Sequence, residues 1–275
     1  MWEQNNWTGE RLETSITNEI MVEHLHRYAF ALESVKGKKV LDIACGEGYG
    51  TNLLSKIAGH VTGIDNESTV IDNAKTKYNS SNLLFKTGSI LQIPAESNSF
   101  DVITCFETLE HLNDHEKILT ELKRVLIPGG ILFISTPEKS NYSDARNFKN
   151  PFHQKEMYGQ EFKELLVKFF PYQSFYKQYS RTGSFIENDE NKNQLDSFSG
   201  DYADILRNIP IPAMYWIAVV SDKELPYLNG SFFQHPKEFS QVIHEETEAV
   251  KKTLTYRTGN LLLTPFKFIR SLFRK

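Results

Sequence analysis

Cysteine is nearly absent from the 275-residue chain, which holds only Cys45 and Cys105. Two thiols cannot build a disulfide framework, and such scarcity predicts a reducing, cytoplasmic setting. Long apolar runs are missing as well, since none approaches the roughly 18 to 20 residues that span a bilayer. The opening stretch, MWEQNNWTGERLE, has neither the basic start nor the apolar core of a secretory signal, which points the same way. Internal repeats and low-complexity tracts are not found. Positive charge is scarce in the body of the chain. Of 31 Lys and Arg, seven lie from Ala249 onward (Lys251, Lys252, Arg257, Lys267, Arg270, Arg274 and Lys275), where no acidic residue occurs, so the first 248 residues hold the other 24 against 35 acidic side chains. A duplex nucleic acid would call for a basic face across the domain, so it is excluded as a partner.

What is present is the composition of a globular protein with a sizeable core, 40% hydrophobic and 24% charged. VLDIA is an apolar run of the kind buried in a parallel sheet, CGEGYG is a glycine turn, and Thr51, Leu53, Leu54 and Ile57 follow at helical spacing. The alternation then repeats. HVTGID, NLLFKTG, FDVITCF and ILFIS read as strands, and STVIDNAKTKY and DHEKILTELKRVL as helices, the second opening on a capping pair of Asn113 and Glu116. GQEFKELLVKFF reads as a further helix, and QSFYKQYS and AMYWIAVVSD as a final antiparallel pair of strands at one sheet edge. Such a pattern predicts an α/β fold, a doubly wound, seven-stranded, mostly parallel sheet of Rossmann-like type. Around it the chain divides into an N-terminal helical lid over 1–35, the sheet domain over 36–222 and a helical extension over 223–275. A polar insertion at about 183–210 reads as an exposed loop. The extension reads as a helix, a break near Gly259 to Pro265, and a short basic amphipathic tail.

Gly46, Gly48 and Gly50 allow a tight turn after the first strand and a close approach of backbone to ligand, at the carboxyl edge where open α/β sheets bind. Asp65, nineteen residues after Gly46, ends the second strand, where a carboxylate can accept from both hydroxyls of a ribose. An adenosine cofactor follows. Dinucleotides and S-adenosylmethionine both stay open on these residues, with the spacing favouring the latter.

In order, VLDIACGEGYG, VTGID, TGSILQIP, FDVITCFETLEHL and LKRVLIPGGILFIS, within residues 36–136, resemble a class I S-adenosylmethionine-dependent methyltransferase. The resemblance implies that Ala44, Gly46, Gly48 and Gly50 lie against the methionine end of the cofactor and Asp65 on the ribose. It places Asn66 at the edge of the adenine region, Ser89 and Ile90 at the adenine, and Phe106 beside the cofactor at the end of the fourth strand. Ser89 departs from the acidic residue usual in the family, so the hydroxyl or a backbone carbonyl would hold the adenine amino group. The N-terminal run resembles that of methyltransferases found with bacterial surface-polysaccharide enzymes. There it lids the cofactor, and Arg27 would pair with the methionine carboxylate.

Methyl transfer to a hydroxyl needs positioning and removal of a proton. FETLEHL follows the fourth strand at the same edge. Were residues 107 to 111 one helical turn, Glu107, Glu110 and His111 would share a face and could hold a divalent cation, with His153 from NPFHQKEM as a further ligand. Such a site resembles metal-dependent O-methyltransferases of phenolic hydroxyls. A metal-free base or acceptor-orienting role for His111 or His153, and a purely structural turn, are the alternatives. His115 is expected to face solvent, and the two cysteines to be core thiols. The expected acceptor is an oxygen of a sugar, glycan end or related polar small molecule. The rivals are a metal-dependent quinone or phenol O-methyltransferase, a NAD-binding oxidoreductase and a non-catalytic scaffold. YRTGNLLLTPFKFIRSLFRK alternates apolar with basic residues, as an interfacial or docking helix would, at the inner face of the membrane or on a protein partner. Similar tails accompany enzymes of surface-polysaccharide assembly.

Overall fold

The computed structural model describes residue 14 and residues 19–180, 198–200, 205–207, 212–233 and 247–272. Two compact units result, residues 1–232 and 233–275.

The first unit is built on a seven-stranded sheet. Helix α1 (Glu19–Val35) precedes β1 (Lys39–Ile43), α2 (Tyr49–Ser55), β2 (His60–Asp65), α3 (Ser68–Lys77), β3 (Leu83–Thr87), β4 (Phe100–Cys105), α4 (His115–Val125), β5 (Leu126–Pro137), α5 (Gly159–Val167), β6 (Tyr172–Gln178) and β9 (Tyr215–Ser221). The strand order is β3-β2-β1-β4-β5-β9-β6, with every neighbouring pair parallel except those that β9 makes with β5 and β6. This is a doubly wound, Rossmann-like architecture. Strand order reverses between β1 and β4, so the turns after these two strands face one crevice, the place where such sheets take ligands.

Alternation along each strand divides the core between the two faces. Val40, Val102, Phe133 and Val219 pack with Tyr28 and Ala31 of α1 and Leu54 of α2. Their neighbours Leu41, Ile103, Ile134 and Val220 pack with Ile118, Leu119 and Leu122 of α4 and Phe162 of α5. Both faces are covered, which is why these strands read as continuous apolar runs rather than as alternating ones. On α4 the buried positions are His115, Ile118, Leu119, Leu122 and Val125, one helical stripe. Its N-cap is Asp114, whose Oδ1 accepts from the Lys117 N–H at 3.1 Å, in place of the Asn113 and Glu116 pair expected. Asn113 instead donates to Gln154 Oε1 at 2.6 Å.

Part of the expected polar loop is ordered: β7 (Phe198–Gly200) and β8 (Ile205–Arg207) pair antiparallel. The rest of the 183–210 insertion, most of the N-terminal lid before residue 19 and residues 234–246 lie outside the described residues. In the second unit, residues 247–252 are helical and a helix follows over Leu254–Leu272. The expected break at Gly259 to Pro265 is not there: the backbone stays helical through both. No helix among the described residues is long and apolar enough to cross a membrane.

Candidate functional site

The turn after β1 puts three residues within five positions in the left-handed region, Ala44 (φ 58°), Gly46 (φ 52°) and Gly48 (φ 79°). Glycine removes the strain of that conformation at two of them. A Cβ on Gly48 would come within 2.6 Å of the Phe85 ring and one on Gly50 within 1.9 Å of the Tyr28 ring, whereas one on Gly46 would meet nothing within 4 Å. So two glycines admit aromatic rings, and the third faces open space in the crevice. The turn is tied to β2 by Asp65, whose Oδ2 accepts from the Gly46 N–H at 3.0 Å and whose Oδ1 accepts from the Glu67 N–H at 3.1 Å. A carboxylate offers about four lone-pair sites, so it can hold the loop and receive ribose hydroxyls together. Asn66 and Ser89 lie exposed, whereas Ile90 and Phe106 are buried, in two different core clusters. The Ser89 hydroxyl accepts from the Leu91 N–H at 3.2 Å, closing its own turn.

Beneath the turn, Asp42 accepts from Thr51 Oγ1 at 2.7 Å, Thr104 Oγ1 at 2.8 Å and the Tyr28 hydroxyl at 3.2 Å. Burial pushes its carboxyl up to about 6, against the pull of these three hydroxyls. Tyr28 also meets Phe106 edge-on at 5.2 Å, which anchors α1 over the crevice.

Arg27, one residue earlier, is the largest fully buried side chain, at 1% exposure. Its Nη1 donates to Gln178 Oε1 at 2.7 Å and lies 3.9 Å from Glu107 Oε1, with the guanidinium 4.8 Å from the Tyr215 ring centroid. Nε and Nη2 have no hydrogen-bond partner among the described residues. Two orphaned donors on a buried guanidinium are costly unless an acceptor arrives, and a carboxylate matches that fork.

After β4 the chain does not make the expected helical turn. Glu107 is left-handed (φ 48°), and only Leu109–His111 form a short 3-10 turn. Glu107 therefore stays outside the group of ligand atoms that converges at Glu110 and His111, though its charge still reaches Glu110. Its Oε1 accepts from the Ser135 hydroxyl at 2.5 Å and faces Arg27. The groups that do come together are Glu110, His111 and His153, whose ligand atoms all lie within 4.8 Å of one another. Glu110 is buried and accepts from Thr136 Oγ1 at 3.5 Å; burial first, then the Glu107 charge, push its carboxyl well above the usual carboxylate range. His111 Nδ1 donates to the Phe152 carbonyl at 3.0 Å, and its ring meets that of His153 edge-on at 5.1 Å.

His153 is held on both sides. Its Nδ1 donates to Glu156 Oε1 at 2.6 Å, Asn150 Nδ2 donates to its Nε2 at 3.1 Å, and the Tyr142 ring stacks on it at 5.4 Å. Glu156, Asn150 and Tyr142 were not singled out from the sequence, although Glu156 stands three residues after His153 in HQKEM, a visible pairing signal. His115 is not solvent-facing as expected. It is 4% exposed and its Nε2 donates to the Leu109 carbonyl at 2.9 Å, which lets it hold the 3-10 turn. Cys45 and Cys105 are buried free thiols, and burial raises both.

Known proteins resemble this chain over the same core. A family model described as Methyltransferase domain matches residues 41–134, from β1 to β5. A Mycolicibacterium smegmatis protein named "Probable S-adenosylmethionine-dependent methyltransferase" is 33% identical over 162 residues, covering 58% of this chain and 62% of that protein. A ubiquinone biosynthesis O-methyltransferase of Coxiella burnetii is 31% identical over 146 residues, covering 52% of this chain and 58% of its own. A Listeria monocytogenes crystal structure, of a candidate S-adenosylmethionine-dependent methyltransferase, superposes with a TM-score of 0.51 at 16% identity over 74% of this chain and all of that one. It shows the shared fold. The likeness to a methyltransferase domain thus covers residues 41–134, the stretch from β1 to β5. The chain spans 62% and 58% of the two curated relatives.

Proposed function

We propose that the whole chain is a methyltransferase that moves a methyl group from S-adenosylmethionine to an oxygen of a sugar, glycan end or related polar small molecule. The observation that carries this reading is the His153–Glu156 pair at the carboxyl edge, Nδ1 to Oε1 at 2.6 Å. The carboxylate fixes the tautomer that leaves Nε2 as the basic nitrogen, and Asn150 Nδ2 marks where a hydroxyl donor would sit.

The residues present fit the cofactor. The space before Gly46 admits it, Asp65 takes the ribose hydroxyls, and the orphaned Nε and Nη2 of Arg27 take a carboxylate. Ala44, Gly48 and Gly50 shape the loop, Asn66, Ser89 and Ile90 line the adenine side, and Phe106 lies beside the cofactor at the end of β4. When bound, S-adenosylmethionine supplies an electrophilic methyl group on a sulfonium. The protein's part is then to hold the acceptor oxygen in line and to take its proton at His153 Nε2. His111 and Tyr142 pack His153 in place. Helix α1 acts as the lid.

A second reading rests on the convergence of Glu110, His111 and His153 within 4.8 Å, which suits a divalent cation bound to a vicinal or phenolic diol. The likeness to a quinone-pathway O-methyltransferase favours that acceptor class. In a third reading the chain is a non-catalytic cofactor-binding scaffold at the membrane. The basic segment after Ala249 and the exposed Leu254, Leu261 and Leu262 support a peripheral site on the inner membrane face in any of the three, as in surface-polysaccharide assembly. Labelled-methyl transfer, screened over glycan and phenolic acceptors with and without a chelator, separates them. Transfer to sugars that survives the chelator supports the first, chelator-sensitive transfer to phenols the second, and no transfer to any acceptor the third.

A further inference from the structure

Beside the His153 site lies a second cleft that the methyl-transfer chemistry does not use. It has a volume of about 550 Å³ and is built on Trp216. The indole is half-buried, and its Nε1–H donates to Glu138 Oε2, which fixes the ring's orientation. Gly159 makes room for it, because a Cβ there would come within 2.2 Å of Nε1. Two ammonium groups stand over the ring, Lys163 Nζ of α5 at 4.4 Å and Lys177 Nζ of β6 at 5.4 Å from the centroid. Neither lysine forms an ion pair among the described residues. Around them stand polar groups suited to hydroxyls, the Asn141 and Gln160 amides and the Glu138 carboxylate.

We propose that this cleft binds an acidic saccharide residue, a pyranose whose C–H face lies on Trp216 and whose anionic group sits between Lys163 and Lys177. An aromatic platform with planar amide and carboxylate neighbours matches the alternating apolar face and hydroxyl rim of a pyranose. The two lysines add the demand for negative charge. Their stems are long and flexible, so the ammonium groups can move to the rim while the sugar ring takes the indole face. An inorganic anion would use the lysines and leave the platform idle, and a neutral sugar would do the reverse.

The cleft is joined to the reaction centre by one turn of chain. Asn141 faces the cleft, donating to the Ala213 carbonyl at 2.9 Å, while the next residue, Tyr142, stacks on His153. Trp216 likewise follows Tyr215, whose ring lies against Arg27. The acidic residue would therefore neighbour the sugar that presents its hydroxyl to His153, which rests on the glycan reading given above.

The test titrates full-length protein with glucuronate, glucose and inorganic phosphate by calorimetry, and repeats this for Lys163→Gln, Lys177→Gln and Trp216→Leu variants shown folded by circular dichroism. Saturable glucuronate binding, at least 10-fold weaker in each variant and at least 10-fold stronger than glucose or phosphate, is expected. Equal binding of glucose, equal binding of phosphate, indifference to the substitutions, or no glucuronate binding each overturns the proposal. The glycan reading fails separately: glucuronate binding without methyl transfer to any sugar sinks that reading and supports the cleft. Transfer to acidic and neutral sugars alike, with unchanged acceptor KM in the lysine variants, does the opposite.

Discussion

The Glu156 carboxylate lies 2.6 Å from Nδ1 of His153, and the pair sits in a loop whose Gln154 and Lys155 N–H groups both donate to the Glu110 carbonyl, at 2.8 and 3.0 Å. The imidazole is thus oriented from its own segment and from the turn after β4 together. His153→Ala should lower kcat for methyl transfer by about 10²- to 10⁴-fold, the usual range for losing a general base, with cofactor affinity kept. Glu156→Gln, which keeps shape but loses charge, should fall between that variant and wild type. Steady-state kinetics alongside calorimetry with S-adenosylmethionine decide it, and an unchanged kcat for His153→Ala would remove this residue from the chemistry.

Asp65 holds the Gly46 and Glu67 amides, and the proposed function gives it the ribose as a second task. Asp65→Ala should weaken S-adenosylmethionine binding by about 10-fold or more, with a separate loss of folding stability of about 1–3 kcal/mol from the amides left unpaired. Calorimetry and thermal melting read the two effects apart. Full affinity in the variant would show that the ribose lies elsewhere.

Arg27 offers a sharper test, since the group it is assigned to can be deleted from the ligand. Wild type should prefer S-adenosylmethionine over its decarboxylated analogue, and Arg27→Met should bind both alike, with the carboxylate's advantage of about 1.5–3 kcal/mol gone. If the variant keeps the preference, Nε and Nη2 serve another acceptor.

Asp42 makes stability depend on pH. In the folded chain its carboxyl keeps the proton up to about pH 6, whereas the ordinary value is 3.8, so between these the native state binds more protons and stability falls as pH rises. A shift of about two units corresponds to about 3 kcal/mol, lost by about pH 6 and flat above it. Denaturant melts from pH 4 to 7 should show this slope in wild type and a flatter one in Asp42→Asn. Glu110, raised for the same reason, steepens both proteins equally and cancels in the difference.

The basic tail is tested by removing residues 257–275. Binding of the full chain to anionic vesicles should weaken on deletion and should fall with salt, as screened attraction to headgroups does. Sedimentation with phosphatidylserine vesicles at two ionic strengths measures it. A full-length protein that ignores vesicles at low salt ends the membrane assignment.

Most of the sheet was legible because burial on both faces writes itself as apolar runs, and the glycine turn with Asp65 marked the crevice before any coordinates. What escaped was set by contacts distant in sequence. Glu107 looked like a partner of Glu110 and His111 at helical spacing, yet the left-handed backbone at that residue turns it to Ser135 and Arg27. His115 looked like a surface residue of a first helical turn, but the carbonyl of Leu109 claims it. Pro265 looked like a break, and the helix runs through it. Nothing local in the sequence marks Trp216 as a platform, because Lys163, Lys177 and Glu138 reach it from three other elements.

The Tyr28 ring occupies the volume that a methyl group on residue 50 would need, and its hydroxyl reaches Asp42 below. Helix α1 is therefore a wedge driven into the loop that it covers, and the two cannot shift independently. Any occupant that straightens the Gly46–Gly50 backbone must push on that wedge, so loading of the crevice would be felt as tension along α1 and heard at its far side through Arg27 and Gln178 in the last strand of the sheet.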